Sequence, residues 1–101
     1  MKARSHRNIA RYLQRNAPDQ TGRMMETALA AFVAEAEREA HGWGLYTEAG
    51  FGRFAWLLLM TEGRLRDMAE ARTYLLAGAP PSDARLTLLM HVVAARLRRS
   101  V

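Results

Sequence analysis

Three histidines, His6, His41 and His91, are the side chains best suited to proton transfer or metal binding, and they lie far apart in the chain. None has a second ligand three or four residues away of the kind a helical zinc motif supplies, so no metal is expected. There is no cysteine, which removes thiolate sites and disulfides and is compatible with a reducing compartment. Glu35, Glu37 and Glu39 form an acidic patch around Arg38. Two carboxylates can divide acid and base work when burial raises the pKa of one of them. Glu35 and Arg38, however, have the i,i+3 spacing of a solvated surface pair. Only Glu39 falls near the apolar stripe of its helix, so it is the acid to test for burial. Ser82 reads as a helix cap, and no serine or threonine has a recognisable base set on it by its spacing in sequence. No catalytic residue and no cofactor are expected.

The stretch HGWGLYTEAGFGRF, running from His41 to Phe54, interleaves Gly42, Gly44, Gly50 and Gly52 with aromatics. A phosphate-cradling loop would show G-x-G-x-x-G after a strand, or G-x-x-x-x-G-K-[ST]. The spacing here is G-x-G-x5-G-x-G, and the only lysine is Lys2. The glycines instead suit a helix stop at Gly42, a tight turn through Gly44, and close helix packing at Gly50 and Gly52. Trp43 and Tyr46 sit on that corner, where they could face the core or a partner.

The sharpest electrostatic feature is a row of arginines, Arg4, Arg7, Arg11 and Arg15, on one face of a segment whose other face holds Ile9, Tyr12 and Leu13. A basic amphipathic helix of this kind binds an acidic protein groove, nucleic acid or an anionic membrane, or is simply a solvated outer face. Three apolar residues are too few to hold a membrane unaided. The charge of the whole chain is +5, but it is unevenly spread: residues 1–23 carry +5, residues 24–83 carry −4 and residues 84–101 carry +4.

The elements that must position these groups are all helical. Apolar residues recur at three and four, and no segment alternates with β-branched enrichment. A basic amphipathic helix is expected over 5–16, after four disordered residues, and Pro18 ends it. A second helix follows from about Asp19 or Thr21 to His41, with Met25, Ala28, Leu29, Phe32, Val33, Ala36 and Ala40 as its stripe. Thr47 is the expected N-cap of a third helix, about 47–62, whose Phe54 to Met60 run is apolar on every side and so marks the central element. Gly63 closes it. A short fourth helix is expected from about Asp67 to Ala77. Beyond the connector Ala79-Pro80-Pro81, a fifth carries Leu86, Leu89, Met90, Val93 and Leu97.

The chain of 101 residues fits a single all-α domain, 1–101, a bundle of about five helices, monomeric or weakly dimeric. The longest apolar runs, Ala28 to Ala34 and Phe54 to Met60, have seven residues each, against about 20 for a transmembrane helix. No apolar run follows the basic N-terminus as a secretory signal would require, so a cytoplasmic location is expected.

The order of a long helix ending in EREAHGWGLYTEAGFGRFAWLLLMTEGRLRD, a short helix AEARTYLLAG and then PPSDARLTLLMHVVAARL resembles a class of small bacterial helical proteins encoded beside type VI secretion spike components, PAAR-repeat tips and their effectors. The resemblance runs from about Thr21 to Leu97. It rests on the alanine-rich helix end, Gly44 before an aliphatic residue, Thr47-Glu48, Phe51 followed by Arg53-Phe54, Gly63 and the leucine-rich last helix. The connection after Gly63 is shorter here, only Arg64-Leu65-Arg66-Asp67. The resemblance implies a non-enzymatic accessory role as adaptor, chaperone or neutralising partner of a secreted effector or spike protein.

Together these readings give a protein-interaction module. Trp43, Tyr46 and Trp56 are its candidate aromatic anchors and Arg4, Arg7, Arg11 and Arg15 its candidate rim, since Trp, Tyr and Arg dominate interface hot spots. The rival expectations are a small basic nucleic-acid-binding regulator and, third, a small hydrolase whose carboxylate would have a raised pKa.

Overall fold

The computed structural model describes residues 2–69 and 83–99, with the side chains of 2–4, 66, 67, 83 and 84 excepted. Among these residues there are five α-helices and no strand: α1 (Lys2–Asn16), α2 (Pro18–Thr21), α3 (Glu26–Gly42), α4 (Glu48–Met60) and α5 (Asp83–Arg99), with a 3₁₀ turn at Arg64–Asp67. The expected all-α bundle with a central apolar helix is the architecture observed. α4 touches α1, α3, α5 and the 3₁₀ turn. Phe51, Phe54, Ala55, Trp56, Leu57 and Leu58 are buried around its whole circumference. These residues join Ile9, Leu13, Leu29, Val33, Leu86, Leu89 and Val93 in one core cluster.

The third helix begins where its cap was read: the Thr47 hydroxyl accepts from the Gly50 backbone N–H at 3.0 Å, satisfying one of the free donors of the first turn. Three boundaries differ from expectation. α1 starts at Lys2, three residues early. The second expected helix is two: Pro18 opens the short α2, and the chain then turns through Gly22 to Met25, whose extended backbone (ψ 153°) starts α3 at Glu26. Met25 and Ala28, placed in the apolar stripe by spacing, are exposed, because α3 buries only Leu29, Val33, Ala36 and Ala40. Most of the expected fourth helix, the proline connector and the Ser82 cap lie outside the described residues.

Two chain reversals frame α4. At the end of α3, Leu45 N–H donates to Ala40 O and Gly44 N–H to His41 O, both at 3.0 Å. This is the Schellman pattern, and Gly44 supplies its left-handed residue at φ 81°. The helix therefore ends at Gly42 itself, and the left-handed glycine expected there stands two residues later, at Gly44. At the end of α4 the same pattern recurs, with Gly63 N–H to Leu58 O at 3.0 Å and Glu62 N–H to Leu59 O at 3.3 Å. There the left-handed position is held by Glu62, at φ 54°, a conformation that strains a residue with a Cβ.

Candidate protein-interaction face

α1 lies along the outside of the bundle between two neighbours. Toward α4 it runs parallel: Asn8 donates to Glu48 at 2.9 Å, and the indole Nε1 of Trp56 donates to Asn16 O at 3.2 Å. Between those points Gly52 allows close approach, since a Cβ there would stand 3.3 Å from Ile9 Cδ1 and 3.6 Å from Tyr12 Cδ2. Toward α3 it runs antiparallel, with His6 Nε2 3.1 Å from Glu37 Oε1. The rings of His6 and Phe51 meet edge to face, with centroids 6.1 Å apart. Ile9 and Leu13 point between the neighbours into the core, which turns Arg7, Arg11 and Arg15 outward as the helical period requires.

Those three arginines are exposed and, among the described residues, make no ion pair. Elsewhere the protein does pair such groups: Arg38 with Glu35, and Arg64 with Glu62 at 3.8 Å. Arg53 reaches from α4 to α5, its Nε donating to Thr87 Oγ1 at 3.0 Å. The side chain of Arg4 lies outside the described residues. Rows spaced by four residues stand roughly 6 Å apart along a helix axis, so Arg7, Arg11 and Arg15 form a straight ridge of positive charge.

The aromatic candidates separate. Trp56 is buried at 9% exposure; its indole N–H satisfies a carbonyl at the C-terminal end of α1, where helices leave carbonyls without an intrahelical donor. Its position in the core leaves it no exposed face to anchor a partner. Trp43 is half-buried against the core cluster. Tyr46 is 75% exposed, and its ring lies 5.1 Å from that of His41. It borders a depression of about 270 Å³ with Ser5, Glu37 and His41. The arginine ridge lies on the other side of the His6–Glu37 contact, so the structure brings Arg7, Arg11 and Arg15 together and sets Tyr46 apart from them.

Depressions of similar size flank α1. The one toward α4, about 330 Å³, is lined by Asn8, Tyr12, Glu48, Ala49, Gly52 and Arg53. Burial there raises the Tyr12 phenol above its ordinary value, opposed by the positive charge of Arg53. The one toward α3, about 320 Å³, is lined by Arg7, Ala10, Arg11, Glu26, Leu29 and Ala30 among others.

Glu39, the acid singled out for burial, is half-buried, and so is Glu37. The Glu37 contact with His6 crosses 31 residues, which no local spacing could have indicated. Ser5 and His6 are successive on α1, and successive helical side chains do not face one another, so the hydroxyl is not set on the imidazole. His91 is exposed. Among the described residues no three His, Asp or Glu side chains group closely enough to hold a metal ion. Among the described residues no helix is long and apolar enough to cross a membrane. No protein-family model, curated protein or solved structure matches the chain.

Proposed function

We propose that the chain is a non-enzymatic protein-interaction module that presents the α1 ridge to an acidic partner. The observation that carries this reading is the ridge itself: Arg7, Arg11 and Arg15 are exposed and unpaired, while Arg38 and Arg64 have acidic partners. Guanidinium forks left free on a rigid helix are suited to bidentate contact with carboxylates. The resemblance of residues 21–97 to helical proteins encoded beside type VI secretion components supports a bacterial effector or spike protein as that partner. The role would then be that of adaptor, chaperone or neutralising partner in the cytoplasm.

A second reading, a small nucleic-acid-binding regulator, draws on the same ridge and on the exposed Arg98 and Arg99 at the end of α5. A capture experiment from the source cells separates the two, using the tagged chain and its Arg7→Glu/Arg11→Glu/Arg15→Glu variant at low and moderate salt. The interaction reading expects a specific protein held by the parent chain and lost from the variant. Duplex DNA that binds the parent chain, with affinity falling steeply as salt rises, would favour the second reading. Capture of the same proteins by both chains would contradict the first.

A further inference from the structure

We infer that the groove between α1 and α3 receives an acidic amphipathic helix from the protein partner, an inference that rests on the interaction reading above and adds its site and the chemistry of the occupant. The His6–Glu37 contact ties the two helices together at one end, and from there the seam opens toward Gln14 and Glu26. The walls are unlike. On the α1 side stand Arg7 and Arg11, with Arg15 one turn further on, all exposed. On the α3 side are Ala30, exposed, and Leu29, buried, and the half-buried Ala10 of α1 completes the lining.

Small side chains on the floor let a third helix approach to the usual interaxial distance of about 8–10 Å. The α1 wall then asks for carboxylates on one edge of that helix, four residues apart, so that they meet Arg7, Arg11 and Arg15 in turn. The α3 wall asks for alanine or leucine on the adjoining edge. Exposed Glu26 at the far end has no ion pair among the described residues, and favours a base at the corresponding end of the occupant. Nucleic acid fits these walls less well: phosphates would gain the arginines but meet Glu26, and would leave the alanine and leucine floor uncovered.

The test uses the full chain and a fluorescent helical peptide of about 15 residues, with glutamates at i, i+4 and i+8 beside a leucine–alanine stripe. A glutamine version of the peptide and a DNA duplex of similar length are the comparators, all read by fluorescence anisotropy. Ala30→Trp fills the groove at an exposed position without changing charge, and Arg7→Gln/Arg11→Gln removes the ridge; circular dichroism checks that both variants fold. The expected result is saturable binding of the acidic peptide, weakened at least ten-fold by either variant and by the glutamine exchange. Absence of saturable binding up to about 1 mM, the weak end of specific association, or tighter binding of the duplex than of the peptide, overturns the inference. Loss of binding in the arginine variant alone, with Ala30→Trp binding like the parent chain, also overturns the groove while leaving the interaction reading standing. Binding unchanged in both variants overturns the groove and, with it, the ridge on which the interaction reading depends.

Discussion

The two flanks of α1 offer depressions of nearly equal volume, about 330 Å³ toward α4 and about 320 Å³ toward α3, yet they differ in what their polar groups are doing. Toward α4, Asn8 and Glu48 hold each other and Arg53 is fixed to Thr87. Gly52 brings the backbones close, and Trp56 fastens the end of α1. Toward α3, His6 and Glu37 are joined, while Arg7, Arg11 and Glu26 are exposed and make no ion pair among the described residues. The first flank is a seam that holds the bundle together, and the second has charge left over for something else. Cavity size does not distinguish them; the partnering of charges does.

The largest expected effect tests the closed seam. Gly52→Leu drives a side chain into Ile9 and Tyr12 and should cost about 2–3 kcal/mol of stability by urea unfolding. Ala30→Leu, an addition only one carbon smaller on the open flank, should stay within about 0.5 kcal/mol. Equal losses would mean that both flanks are structural. Next in size is the ridge: Arg7→Glu/Arg11→Glu/Arg15→Glu should weaken binding of an acidic partner by at least ten-fold, about 1.4 kcal/mol. Unfolding measurements on the same variant should move by less than about 1 kcal/mol. Away from both flanks, Glu62→Gly relieves the left-handed backbone at the end of α4 and should stabilise the protein by about 0.5–1 kcal/mol. Peptide affinity should be unchanged by it, which shows that binding does not merely follow stability.

The smallest effect is one of pH. The phenol of Tyr12 is raised in the folded protein, so the folded state holds that proton more tightly than the unfolded chain does. Its contribution to stability is complete below pH 10.0, the ordinary value, and is lost as pH rises through the folded value. Melting curves taken on either side of that pH should show a steeper decline for the parent chain than for Tyr12→Phe. Parallel declines would show that the α4 flank is not dry enough to matter.

Much of the fold was legible because local chemistry and tertiary structure agree. The wholly apolar run of α4 could only be central, Thr47 had the spacing of a cap, and Gly52 the smallness of a crossing point. The break between α2 and α3 was not legible, since residues 22–25 carry no proline and Met25 prolongs the apolar stripe. Nor did periodicity show which way Trp56 faces, because it has no polar face to measure against in a helix that is apolar all round. On the candidate face, the arginine ridge was readable from its i, i+4 spacing. The groove beside it was not, because it depends on how α3 is laid against α1 and on His6 meeting Glu37 across 31 residues.

Chemical-shift mapping of the isotope-labelled chain with the acidic amphipathic peptide tests the contrast between the flanks most directly. The largest amide shifts are expected at Ala10, Arg11, Leu29 and Ala30, with Ala49 and Gly52 nearly still. Shifts centred on Ala49 to Arg53, or on Trp43 and Tyr46, would contradict that contrast.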